Sequence, residues 1–165
     1  MFRKVTDFVN EWKYETEETI KLLSMLTDEV LQKEINGEVR KMGKLAWHIV
    51  ETNSEMLGKA GLSIKGPEMN SKVPVTVKEI IESYTTSTAS VAAEVAKWSN
   101  EDLLIEDEMY GDKWNRGTTL QVLIKHQAHH RGQLTVLMRI VGLKVHGVYG
   151  PAKEQWAAWG MPAME

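Results

Sequence analysis

The chain contains no cysteine. That absence removes disulfides, thiolate-held zinc and cysteine nucleophiles together, and leaves histidine and oxygen as the ligands for any metal. Charge of one sign is also missing as a block: 20 basic and 23 acidic residues are spread along 165 positions for a net charge of -3. Such a balance argues against a dedicated nucleic-acid or anionic-membrane surface. No apolar run approaches the roughly 20 residues of a membrane-spanning helix. The stretch Met1-Phe2-Arg3-Lys4-Val5-Thr6-Asp7 places charge before any apolar run and offers no small-residue cleavage pattern, so the expected location is the cytoplasm. The glycines form no phosphate cradle, and no serine or threonine sits in a nucleophile elbow. Phenylalanine is scarce, two against six tryptophans, for which buried aromatics are the plain explanation.

What is present reads as one domain, residues 1–165, with no repeat or linker and enough length to bury about two-thirds of its unfolded surface. In residues 2–26 the apolar positions Val5, Val9, Trp12, Thr16, Ile20 and Leu23 recur in steps of three and four, the mark of an amphipathic helix. A short turn follows at Thr27-Asp28-Glu29. A second helix is expected over residues 38–62, with the stripe Met42, Leu45, Ile49, Thr52 or Asn53, Met56 and Ala60. Residues 63–74, with Gly66-Pro67 and Pro74, form a connection long enough to cross a bundle end and cover a site. Thr76 and Glu79 make a capping box for a third helix whose period is the cleanest: Val77, Ile81, Tyr84, Thr88, Val91, Val95, Trp98. Ser99 with Asp102 predicts a short extra turn, and Gly111-Asp112 a loop or small hairpin. A fourth helix is expected from Thr118-Gln121 to Gly142, and tail tryptophans Trp156 and Trp159 are expected to dock on the bundle.

The fourth helix carries the chemistry. Its inward line reads Leu123, His126, His130, Leu134, Leu137, Val141, so two imidazoles four apart interrupt an apolar face. His129 is rotated about 100° from His130 and falls off that line. His48 lies at the edge of the second helix's stripe and is the third candidate. Two histidines of one helix and one from a neighbour supply three nitrogen ligands and leave positions open, a catalytic rather than structural pattern. Zinc, nickel, iron and copper all suit such ligands. The pair alone is a weak motif, and satisfied core histidines in a helical interaction protein are the competing explanation. The segment lacks H-E-x-x-H, so a zincin's base is missing, and no Glu-x-x-His repeat suggests a di-iron bundle. Glu51 and Glu55 read as solvated carboxylates. Arg131 reads as a surface salt bridge, with pairing to an anionic substrate as the alternative. Tyr110 and Trp114 could line a pocket mouth or simply pack a loop; His129 and His146 read as surface or interface residues.

Three stretches together resemble the DinB-like (YfiT-like) family of bacterial four-helix-bundle metalloproteins: Leu45-Ala46-Trp47-His48-Ile49-Val50, His126-Gln127-Ala128-His129-His130-Arg131-Gly132-Gln133, and Val148-Tyr149-Gly150-Pro151-Ala152-Lys153-Glu154-Gln155-Trp156. The resemblance covers essentially the whole chain. It implies an all-α, up-down-down-up bundle with a long crossover between its second and third helices. It also implies one divalent ion, nickel or zinc with iron as a further option, held by His48, His126 and His130, and often a homodimer. By the same resemblance some relatives are thiol-dependent S-transferases or isomerases working with low-molecular-weight thiols, and the expected activity of this chain on a small molecule is metal activation of such a thiol or of water, as an S-transferase or hydrolase. The alternative is a non-catalytic, metal-stabilised stress protein or ligand-binding module.

Overall fold

The structure, a computed structural model, describes residues 1–162. Its helices are α1 (Val5–Leu23), the short α2 (Asp28–Leu31), α3 (Met42–Lys59), α4 (Val77–Val95) and α5 (Arg116–Ile140), with 3-10 turns at Glu101–Leu104 and Lys153–Trp159. Strands β1 (Glu106–Met109) and β2 (Asp112–Asn115) pair as an antiparallel hairpin before α5. Its two loop residues, Tyr110 and Gly111, both have positive φ (54° and 86°), as a tight hairpin of this hand requires. The turn therefore falls one residue earlier than the Gly111-Asp112 signal suggests.

Local chemistry sets the helix starts. Thr76 Oγ1 accepts from Glu79 N at 3.2 Å while Glu79 Oε2 accepts from Thr76 N at 3.3 Å, the capping box expected for α4. The start of α5 is earlier than Thr118, because the Asn115 side chain accepts from Thr118 N at 2.8 Å and caps the helix from Arg116. Helix α3 starts later than residue 38, since Asn36 Oδ1 accepts from Glu38 N at 2.9 Å and holds that segment in a turn.

Side-chain contacts give the topology. Trp12 Nε1 donates to Thr88 O at 3.1 Å and Val5 N to Asn100 Oδ1 at 2.9 Å, so α1 and α4 run antiparallel. Phe2 N meets Gly117 O at 3.1 Å and Glu15 meets Arg131, so α1 and α5 run parallel. One apolar cluster gathers Leu22, Leu45, Ile80 and Leu137, and the other Phe8, Leu57, Val91 and Leu123. Helices α3 and α4 therefore point the same way and α5 opposes them. The result is an up-down-down-up bundle, packed in the order α1, α4, α3, α5, whose parallel middle pair requires the long crossover.

Between the two apolar clusters lies a buried polar layer. The Tyr84 hydroxyl donates to Gln127 Oε1 at 2.7 Å, Gln127 Nε2 to Asn53 Oδ1 at 2.6 Å, and Asn53 Nδ2 to Ser87 Oγ at 2.8 Å. Beside it Arg131, 3% exposed, pairs with Glu15 and donates to Thr19 Oγ1 at 2.6 Å. Arg131 is thus a core residue and not a surface salt bridge. The face of α1 is turned accordingly: Phe8, Glu15, Thr19 and Leu22 are buried, while the expected Val9, Thr16 and Ile20 are half-buried. Apolar periodicity missed two inward carboxylates, Glu15 and Glu18, which meet Arg131 and His146 from distant segments.

Removing one member of a buried ion pair leaves an uncompensated charge and costs about 3–5 kcal/mol, whereas replacing both with apolar groups is often near neutral. We expect Arg131→Ala to lower the unfolding free energy measured by denaturant titration by that amount and Glu15→Leu with Arg131→Met to restore most of it. A single variant within 1 kcal/mol of wild type would refute the structural role of the pair.

Candidate metal centre

Helix α5 carries its most buried residues along Leu123, Gln127, Arg131, Leu134 and Met138. His126 and His130 flank that line on the side of α3, so they lie at the bundle's rim rather than on its axis as the apolar phasing suggested. His130 is buried and His126 half-buried. Helix α3 is apolar on nearly every side in its first two turns, through Met42, Leu45, Ala46, Trp47, Ile49 and Val50, and half-buried His48 faces α5.

The three rings converge. Their centroids are 5.3 Å (His48–His126), 4.6 Å (His48–His130) and 4.3 Å (His126–His130) apart, with interplanar angles of 66°, 83° and 82°. One nitrogen from each lies within 4.8 Å of the others, so the cluster could hold a metal ion. Nε2 of His126 and Nε2 of His130 are 3.1 Å apart. Two nitrogens about 2.0–2.1 Å from one ion are separated by about 3.0 Å in octahedral and about 3.4 Å in tetrahedral geometry, so this pair already has ligand spacing.

Proton placement tests the fit further. The Gln133 amide turns Oε1 to His130 Nδ1 at 2.8 Å and Nε2 to His129 Nε2 at 3.0 Å. An amide oxygen only accepts, so Nδ1 of His130 carries the hydrogen and its Nε2 presents a lone pair. His126 Nδ1 is buried without any partner. If the His126 proton sits on Nδ1, a buried donor is orphaned and two lone pairs oppose each other at Nε2; if it sits on Nε2, a buried acceptor is orphaned. A cation on the Nε2 side removes the opposition. The donor set fits a divalent ion of the nitrogen-preferring kind.

Burial, then the charges of the neighbouring imidazoles and of Arg40, hold His48 and His126 down to about 4 and lower His130 as well. All three are neutral near pH 7, the state that ligates metal. A cavity of about 550 Å3 opens on His130, lined by His129, Gln133, Leu45, Leu137 and the segment around Arg40. The segment covering the cluster is therefore residues 38–40, not the long crossover. His129 stands outside the three-histidine cluster, one helical step from His130, yet it shares the cavity wall.

Other candidates fall elsewhere. Glu51 is fully buried, against its reading as a solvated carboxylate; its Oε2 lies 3.9 Å from His48 Nδ1. Glu55 is half-buried and accepts from the Tyr110 hydroxyl at 2.5 Å, and Tyr110 packs on Trp114 at 5.6 Å, outside the cavity lining. His146 is not a surface residue: its Nε2 meets Glu18 Oε2 at 2.6 Å. Trp156 is half-buried while Trp159 is 65% exposed, so only the first can dock. Gln133 was not singled out and Glu51 was read as solvated, although each stands three residues after a candidate ligand and so on its helix face.

An up-down-down-up bundle with a three-histidine cluster between α3 and α5 matches a known class, and comparison with known sequences agrees. A model of the DinB family matches residues 1–161, and the chain belongs to that family. It is 40% identical over 164 residues to the uncharacterised protein YrdA of Bacillus subtilis (strain 168), covering 99% of this chain and 98% of YrdA. A solved DinB-like protein from Bacillus cereus ATCC 10987 superposes with a TM-score of 0.81 at 38% identity, over 90% of this chain and all of that one. A DinB-like protein of B. subtilis, YjoA, gives 0.68 at 18% identity over 88% of this chain and 99% of its own, a likeness of fold.

The pKa shifts fix a pH dependence. The folded histidines titrate below the ordinary value near 6.5, so on acidification the unfolded chain takes up protons first and the native state loses stability from about pH 6.5 down to about 4. The thermal midpoint of chelator-treated protein should fall between pH 7 and 5, and His48→Gln with His126→Gln should flatten that slope. A flat wild-type profile over this range contradicts the assignment.

Proposed function

We propose that His48, His126 and His130 bind one divalent ion and that the chain is a metal-dependent enzyme acting on a small molecule. The observation supporting this reading is the convergence of three neutral imidazoles beside a cavity of about 550 Å3, with one nitrogen pair already 3.1 Å apart. Three imidazoles suit nickel and zinc, and iron as well. A bound ion lowers the pKa of a thiol or water in contact with it, giving a nucleophile near neutral pH. The reaction class is thiol-dependent S-transfer or hydrolysis.

The chain's own side chains do the rest. Gln133 holds the His130 tautomer, and Val39, Leu45 and Leu137 give the cavity apolar walls for the carbon part of a substrate. Arg40, at the same wall, offers a positive charge to an anionic group such as a thiol's carboxylate. The chain works in the cytoplasm as a homodimer, for which exposed Val136 and Ile140 on α5 offer apolar surface. Among the described residues no helix is long and apolar enough to cross a membrane.

A second reading has its own support. The ligands come from two antiparallel helices, so an ion there would staple α3 to α5 and could serve stability alone. Untagged protein should carry about one equivalent of metal per chain, and His126→Ala should weaken binding by more than about 100-fold. Absence of stoichiometric metal, or full metal content in the variant, sinks the site. If the stripped protein stays folded and the reloaded protein consumes a low-molecular-weight thiol with an electrophile, or hydrolyses an ester, the enzyme reading holds. If stripping unfolds it and neither turns over, the staple does.

A further inference from the structure

Glu51 is the least explained buried group near the cluster. It is 0% exposed on α3, one turn beyond His48. Its Oε1 accepts from Ser71 Oγ at 3.1 Å, and that hydroxyl in turn accepts from Trp47 Nε1 at 2.9 Å. The crossover thus reaches back onto α3 and holds one carboxylate oxygen from behind. The other oxygen, Oε2, is buried with no hydrogen-bond partner. Lys44 Nζ at 3.5 Å neutralises the charge from a partly exposed position, and His48 Nδ1 at 3.9 Å faces it from the cluster. A buried acceptor without a donor costs about 1–3 kcal/mol, and a small turn of the His48 ring would supply one. Ligating histidines commonly donate their other ring N–H to a carboxylate, which fixes the tautomer and strengthens the ligand.

We propose that Glu51 is a positioning residue for the histidine cluster: its Oε2 takes the Nδ1–H of His48, so that His48 meets an ion through Nε2, with Trp47 and Ser71 holding Glu51 in place. This inference rests on the cluster being a metal site. It gives His48 on α3 the support that Gln133 gives His130 on α5, each from three residues further along its own helix. It also assigns a task to Trp47, whose indole reaches away from the cavity to the crossover.

The test uses full-length protein, zinc and two readouts. Zinc affinity is measured by chelator competition in wild type and Glu51→Gln, which keeps the side chain's shape and removes its charge. Affinity should weaken about 10–100-fold in the variant. The thermal midpoint of the metal-free form should stay level or rise, because a buried charge has gone. A merely structural role would lower both in parallel, and that outcome overturns the proposal, as does zinc binding within threefold of wild type. The second readout is the His48 tautomer in metal-free wild type, from 15N NMR with the signal assigned by its loss in His48→Gln. Nδ1–H is expected; Nε2–H overturns the proposal. If wild type takes up no zinc, the metal reading has failed, and the tautomer still decides whether Glu51 orients His48.

Discussion

The register of α3 against α5 depends on one buried amide circuit. Gln127 donates to Asn53, Asn53 to Ser87, and Tyr84 to Gln127, while Ser87 Oγ donates to Tyr84 O at 3.1 Å. All four residues are 0% exposed, so no water replaces a lost bond. A slip of α3 by one residue breaks at least two of these bonds at about 1–3 kcal/mol for each group left unsatisfied. Burial also raises the Tyr84 phenol well above its ordinary range, which keeps it a donor. Gln127 directly follows His126, and Asn53 is five residues beyond His48, about 7.5 Å along the helix. The alignment that satisfies the amides is therefore the one that sets His48 across from His126 and His130.

The same polar layer ties down the C-terminal tail. The Tyr149 hydroxyl donates to Glu15 at 2.8 Å and lies 2.5 Å from Arg131 Nη2, so the tail completes a buried ion pair between α1 and α5. Gly147 N and Ala152 N both donate to Gln155 Oε1, at 3.0 and 2.7 Å. A Cβ on Gly147 would stand 2.1 Å from Gly150 O, closer than any side chain tolerates, so this bend requires glycine. The run from Val148 to Trp156 that resembles the DinB-like family is thus a docking segment, held by the polar contacts of Tyr149 and Gln155.

Much of this was legible in the residue pattern and some was not, for a definite reason. Apolar spacing found the four long helices and put the histidine pair on one face, because side chains that must leave water write the helical period, while Gly66-Pro67 and Pro74 marked the crossover and the Ser99–Asp102 box the extra turn. The same spacing is blind to polar groups buried by partners far along the chain. Glu15 is inward because Arg131 and Tyr149, more than 100 residues away, satisfy it. Glu51 is inward because the crossover delivers Ser71. Arg131 looked like a surface cation for the converse reason: its carboxylate partner, Glu15, lies 116 positions away along the chain. His129 lies outside the three-histidine cluster because a single helical step separates it from His130, and that angle is local geometry. A usable signal for Gln133 and Glu51 was present in the i+3 spacing from His130 and His48, where helix geometry alone places two side chains on one face.

The position of the cluster at the rim resolves two demands that conflict at depth. An imidazole ligates metal only when neutral, which favours burial, whereas an ion that acts on a substrate needs an approach and an open coordination position. On the line of Gln127 and Arg131 a histidine would be dry but enclosed by four helices. One step round α5, His126 and His130 are covered enough for desolvation, with the charges of His129 and Arg40 nearby, to hold their protons off near pH 7, and His130 still faces the cavity under residues 38–40. The polar layer supplies rigidity on the axis, so the rim can stay open without losing register. An ion bound there would meet ligands fixed from the core side and stay open to the cavity on the solvent side. A central site would permit the first and exclude the second.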